Sequence, residues 1–264
     1  MAFARINDVL LHYRLAGRPD APALLLANSL GTDARIWDAV IELLADDYRI
    51  LSYDKRGHGL SDAPSGDYAL DDHVGDLLGL ADLVGFERFA LAGVSVGGLI
   101  AQGFALAHPQ RLAALVLCDT APKLGDAAGW NSRINAIGDN GMASIADMVM
   151  ERWFTPGFRR DRPDELGGWR NLFLRSDAVG YCGTCATLRD TDLTAQIAAI
   201  TTPTLVVVGA EDQSTPVEMV RAGTATIPGV KFEIIADAGH IPSIEQPAQL
   251  AAAMRGHFRE AGHG

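Results

Sequence analysis

The sequence predicts an α/β fold in which a mostly parallel, doubly wound sheet carries a helical insertion ahead of its last strands. Three observations predict it. Short, near-continuous runs of Val, Leu and Ile, the pattern of strands covered on both faces, alternate with stretches of helical periodicity. That alternation stops between residues 122 and 190. At 264 residues, the chain is long enough for one large domain with such an insertion.

Taken in order, residues 9–13, 23–27 and 48–53 read as strands, with a helix over 36–44 between the last two. A helix over 70–83 follows, then strand 89–93 and a helix over 99–107 that His108-Pro109 ends. Strand 112–118 closes the first half. From Pro122 to Asp190 strand signals vanish, and Trp130, Trp153 and Trp169 appear among Gly and Pro punctuation. A structureless loop of that length is improbable in a compact domain, so the segment reads as a helical cap over the sheet's carboxyl edge. Strands at 204–208 and 232–235 complete the core. The expected division is a core of residues 1–121 and 191–264 and a cap of 122–190.

Hydrophobic residues make up 48% and charged residues 21%, an ordinary globular balance that excludes a disordered or fibrous chain. The formal net charge of −11 counts against nucleic acid and anionic membranes as partners. The cap holds nine basic and nine acidic residues, so the whole excess lies outside it. A small anionic substrate entering beneath the cap therefore meets no net repulsion from it. No apolar run approaches a membrane span and the opening residues lack a signal segment's apolar stretch, so a soluble cytoplasmic protein is expected. Three cysteines are too few for a disulfide framework. Cys182-Gly-Thr-Cys185 spells a redox or metal spacing, but its flanks read as a plain helix without further ligands, so these are expected to be packing residues.

The most specific motif is Gly93-Val94-Ser95-Val96-Gly97-Gly98, placed after a strand and before a helix. In that context G-x-S-x-G is a nucleophile elbow, whose glycines let the backbone crowd through a strained turn that lifts the serine hydroxyl above the sheet. The Val96 amide, at the helix start, then serves a developing oxyanion. A serine needs a base, and in this architecture acid and histidine follow in that order. Asp212 ends the strand-to-loop run Val206–Asp212, and Ala238-Gly239-His240 follows the last strand. Asp119 also follows a strand and stays a second candidate acid, with Glu211 a helper or a solvated neighbour. Of the other histidines, His12 lies in a strand, His108 ends a helix, and His257 and His263 fall in a tail expected to be exposed. The second oxyanion donor should come from Asn28-Ser29-Leu30-Gly31, with the Leu30 amide the candidate. Asp54-Lys55-Arg56-Gly57-His58-Gly59 lacks the phosphate-loop pattern, so its charges are expected to hold the loop.

Ser95, Asp212 and His240, with these loops, resemble the α/β-hydrolase superfamily over nearly the whole chain. Narrower motifs resemble 3-oxoadipate enol-lactonases: Asn28 to Asp33 with Trp37, Asp54 with Arg56 to Gly59, Asp119-Thr120-Ala121, Trp130 with Arg133, Gly141-Met142, Gly180 to Cys182 through Leu188 to Asp190, and Ile244 to Pro247. Val94, Val96 and Ile241-Pro242-Ser243 depart from that pattern without touching the catalytic atoms. The resemblance implies an α/β-hydrolase fold and opening of an enol-lactone ring through an acyl-enzyme, in breakdown of protocatechuate or catechol, with no metal or organic cofactor. It also implies a substrate with a free carboxylate. Arg133 is the expected clamp for that group and Trp130 an expected pocket wall. A carboxylesterase or carbon–carbon bond hydrolase is the alternative, and a non-catalytic small-molecule receptor a third reading. Haloalkane dehalogenases and epoxide hydrolases of this fold carry Asp where Ser95 stands, which excludes their chemistry. Nothing in the sequence sets the oligomeric state.

Overall fold

The computed structural model describes residues 2–264. Its first two strands, β1 (Ala2–Ile6) and β2 (Val9–Gly17), form a hairpin. The two-residue turn Asn7-Asp8 has φ of 48° and 62°, the doubly positive pattern of a type I′ turn, whose twist matches that of paired strands. β3 (Ala23–Ala27), α1 (Asp38–Leu44), β4 (Arg49–Tyr53) and α2 (Leu70–Leu83) follow, then β5 (Phe89–Val94), α3 (Val96–Ala107) and β6 (Leu112–Cys118). Asp33 accepts the Arg35 amide and so caps the short turn that leads into α1.

Between β6 and β7 (Thr204–Gly209) the chain is helical: α4 (Ala127–Asn140), α5 (Ala146–Trp153), α6 (Pro156–Asp161), α7 (Pro163–Leu174) and α8 (Ala178–Asp190). Asp126, Thr155 and Asp177 cap α4, α6 and α8 through their side-chain oxygens. The chain ends with α9 (Val217–Thr224), β8 (Lys231–Ile235), α10 (Pro242–Glu245) and α11 (Pro247–Glu260).

The eight strands form one sheet in the order β1-β2-β4-β3-β5-β6-β7-β8. β1 with β2 and β2 with β4 pair antiparallel, and every pairing beyond β4 is parallel. Every residue of β5, β6 and β7 is buried, which explains their unbroken apolar sequences. α2 packs with α3 and α1 with α11 to form the helical layers. Because β3 to β8 run the same way, the residues just past their carboxyl ends gather at one edge, where open α/β sheets bind ligands.

Two expectations are corrected. β1 was not anticipated, because Ala2–Ile6 is a half-exposed edge strand whose alternating burial hides it from a search for continuous apolar runs. His257 and His263 are not in an exposed tail: α11 carries His257 into the fold, where its ring meets the Pro203 carbonyl at 3.1 Å, and the His263 ring meets that of Ala23 at 2.7 Å. Among the described residues no helix is long and apolar enough to cross a membrane.

Candidate active site

Ser95 sits between β5 and α3 with φ 58° and ψ −118°, a conformation that L-residues adopt only when their surroundings enforce it. The enforcement is visible. Its amide donates to the Cys118 carbonyl at 2.9 Å, and its own carbonyl accepts from Thr120 Oγ1 at 2.8 Å and the Leu99 amide at 3.0 Å. A Cβ on Gly93 would land on the Gly97 carbonyl, and one on Gly97 would land on the Ala27 carbonyl. Two glycines are therefore the condition for the turn to exist.

Asp212 and His240 meet past the ends of β7 and β8. The His240 ring holds Nδ1 2.8 Å from Asp212 Oδ2, and both side chains are almost wholly buried. With Nδ1 donating to the carboxylate, Nε2 is left as the basic nitrogen. Asp212 also accepts the amides of Ser214 (2.7 Å) and Thr215 (3.1 Å) and the Thr215 hydroxyl. Burial pushes the Asp212 carboxyl up, but His240 and the Thr215 hydrogen bonds outweigh it and hold the group below its ordinary value.

Asp119, the other candidate acid, has no hydrogen bond to His240. Its Oδ1 accepts the Gly209 amide at 2.8 Å and its Oδ2 has no hydrogen-bond partner among the described residues. Burial and the adjacent Asp212 push its carboxyl well up, toward the neutral form. The donor atoms of Asp119, Asp212 and His240 lie within 4.8 Å of one another, spacing that would admit a cation. The Asp212 and His240 atoms are instead bonded to each other, and a neutral Asp119 is a poor ligand, so the set fits proton chemistry better than a metal.

Ser95 and His240 both line a cavity of about 480 Å3. Its floor includes Ser29 and Leu30 from the loop after β3, and its roof comes from α4 (Trp130, Arg133), α5 (Met148, Arg152, Trp153) and α8 (Tyr181, Leu188). Among the described residues, the amides of Leu30 and Val96 donate to no protein acceptor, whereas that of Gly31 is taken by His58 Nε2 at 2.9 Å. Trp130 fixes its indole by donating to the Leu124 carbonyl at 2.6 Å, and the Arg133 guanidinium stacks 5.0 Å over its ring. Arg133 has only the Tyr181 hydroxyl, at 3.4 Å, and the Met148 sulfur as protein neighbours for its donors, and among the described residues it forms no ion pair.

A larger cleft of about 850 Å3, lined by His12, Asp54, Arg35, Trp169 and Arg175, contains neither Ser95 nor His240. Of the charges after β4, Asp54 and Arg56 hold their own loop, as read from the sequence, while Lys55 reaches the Ser29 carbonyl in the loop after β3. Asp54 accepts the Ala34 and Leu60 amides and contacts His12, and Arg56 forks onto Asp76 at 2.7 and 2.8 Å. Cys182 and Cys185 lie one turn apart on α8 as free thiols, and burial pushes both thiols up, away from reactive thiolate.

Three contributors escaped the sequence reading. Thr215 braces Asp212. Glu245 accepts the Gly239 amide at 2.6 Å and the Thr155 amide and hydroxyl at 3.0 and 2.8 Å, joining the His240 loop to the start of α6. Arg152 adds a second cation to the cavity wall and forms no ion pair among the described residues. Only the Ile244–Pro247 motif hinted at one of them.

Residues 24–253 match the Alpha/beta hydrolase family. The 3-oxoadipate enol-lactonase 2 of Acinetobacter baylyi is 35% identical over 241 residues, covering 91% of this chain and 90% of its own. The putative carbamate hydrolase RutD of Stutzerimonas stutzeri is 28% identical, covering 95% of this chain and 97% of its own. The crystal structure of the enol-lactonase from Burkholderia xenovorans superposes with a TM-score of 0.95 at 33% identity, covering 98% of this chain and all of that one. The strained Ser95 turn, the sheet order and these matches agree: the chain belongs to the alpha/beta hydrolase family.

Proposed function

We propose that this hydrolase opens the lactone ring of 3-oxoadipate enol-lactone through an acyl-enzyme on Ser95. The carrying observation is one cavity that holds Ser95, His240, two amides without protein acceptors and an arginine without a carboxylate partner. Its similarity to two enol-lactonases supports the substrate.

In this reading His240 Nε2 takes the Ser95 hydroxyl proton as Oγ attacks the lactone carbonyl. The carbonyl oxygen, now anionic, accepts the Leu30 and Val96 amides. Collapse breaks the ring C–O bond and expels an enolate, a good leaving group that takes the proton back from His240 and tautomerises to the ketone. Water, deprotonated by the same nitrogen, then releases the acyl group as a carboxylate and restores Ser95. Asp212 keeps Nδ1 as the donor and steadies the imidazolium in both halves. The substrate's own carboxylate rests against Arg133.

Loss of enol-lactone absorbance, followed beside hydrolysis of an aryl ester, tests the reading. Wild-type protein should consume the lactone, and Ser95→Ala should lower kcat by about 10^4-fold or more with its fold intact. Rapid turnover of the ester with none of the lactone would make the protein a carboxylesterase with the same machinery. Full activity in Ser95→Ala would remove the mechanism altogether.

A further inference from the structure

Lys55 is a cation sealed inside the molecule, 1% exposed, and the mechanism above does not use it. Burying an ammonium is costly unless its donors are satisfied, and an apolar side chain of similar length would fill the space more cheaply. Among the described residues Lys55 forms no ion pair. Its Nζ instead donates to the Ser29 carbonyl at 2.5 Å, across 26 residues of sequence.

That carbonyl is one end of the peptide whose other end is the Leu30 amide. In a trans peptide, C=O and N–H point to opposite sides of the plane. A donor that holds the Ser29 oxygen therefore fixes the Leu30 N–H on the opposite side of the peptide bond, and Leu30 lines the same cavity as Ser95. The same carbonyl accepts from Thr32 Oγ1 at 2.8 Å and the Thr32 amide at 3.4 Å, and His58 pins the next amide, that of Gly31. Donors on the oxygen also polarise the whole amide and strengthen its N–H as a donor.

Resting on the proposed acyl-enzyme reading, we propose that Lys55 is the positioning residue of the oxyanion site, holding the Ser29–Leu30 peptide so that its N–H is preorganised for the tetrahedral intermediate. Burial disfavours the charged form while Asp54 and Asp33 favour it. The amine keeps N–H donors in either state, so the hold on the carbonyl survives both.

The test compares wild type, Lys55→Met, Lys55→Arg and Ser95→Ala on the enol-lactone and on p-nitrophenyl acetate. Lys55→Met should lower kcat about 10- to 100-fold, approaching the loss of one oxyanion donor. Its KM should stay within about 3-fold, because ground-state binding does not use the amide. Inhibition by phenylboronic acid, which forms a tetrahedral adduct on the serine, should weaken by the same factor as kcat, and Lys55→Arg should recover part of both. If Lys55→Met does not fold, Lys55→Gln takes its place, since it keeps a polar group in the pocket but is too short to reach the carbonyl. Folded variants with wild-type kcat and boronate affinity would overturn the inference, as would a lowered melting temperature with both unchanged, or no variant that folds at all. Wild-type turnover that survives Ser95→Ala would instead sink the underlying reading, which separates the two failures.

Discussion

Two carboxylates approach the His240 ring, and their surroundings give them different work. Asp212 gathers three donors besides the imidazole and stays ionised, whereas Asp119, with one amide and an unpartnered oxygen, is driven toward its neutral form. Asp212→Asn should therefore lower kcat by about 10^3- to 10^4-fold, because an amide opposite Nδ1 favours the wrong tautomer. Asp119→Asn should keep kcat within about 10-fold, since burial and the adjacent Asp212 already press that carboxyl toward its neutral form. Comparing the two pH–rate profiles checks this: equal losses would make the acids a shared pair. Arg133→Ala should raise KM for the lactone about 10-fold or more while leaving KM for a neutral aryl ester unchanged, the mark of a lost carboxylate contact. Ser95, Asp212 and His240 were legible because each follows a strand end, and strand ends are written in local apolar runs. Thr215, Glu245, Arg152 and Lys55 were not. Lys55 reaches Ser29 across 26 residues and Glu245 reaches Thr155 across 90, contacts no spacing rule encodes, while Thr215 sits three residues past Asp212 in a loop whose turn carries no motif.

At the level of elements, α8 meets the loop after β4 backbone to backbone. Gly57, at φ 75°, and Gly180, in the first turn of α8, approach so closely that a Cβ on either would collide with the other's main chain. Replacing a helical glycine with alanine ordinarily stabilises by about 1 kcal/mol. Gly180→Ala should reverse that sign and cost about 1–3 kcal/mol through overpacking. Gly138→Ala on α4, where a Cβ meets open space, is the control and should stabilise by about 0.5–1 kcal/mol. Urea unfolding of both variants measures the two signs, and equal shifts would show that the contact carries no load. The buried strands β5 to β7 and the helices α2 and α3 were legible from periodicity, because burial on both faces leaves unbroken apolar runs. β1 was not, since an edge strand alternates with solvent and its only sharp signal is the Asn7-Asp8 turn.

Across the whole molecule, pH acts on stability through buried histidines. Burial holds His58 and His73 well below the usual imidazole range, and His257 and His263 below it to a lesser degree. As pH falls through about 6.5 the unfolded chain takes up protons that the folded chain refuses, so stability falls with it. Asp119 and Glu245, whose carboxyls burial pushes up, act in the opposite sense and offset part of the loss. Four imidazoles against two carboxyls leave a net fall in stability as pH drops toward about 5, with the fully buried His58 and His73 contributing most of it. Urea midpoints should fall as pH drops from about 6.5 to about 5, and a flat profile would show that the buried imidazoles do not outweigh the buried carboxyls.

The backbone amide of His240 donates to the carbonyl of Trp153, the last residue of α5, at 2.9 Å. The roof is thus fastened to the proposed base itself rather than to a neighbouring hinge. Any movement of α5 would therefore have to break this hydrogen bond or pull on the His240 backbone, which couples the cap's position to that of the imidazole. With the roof seated, the exposed cavity-lining residues Asp126, Gly129 and Arg152 mark where the wall meets solvent.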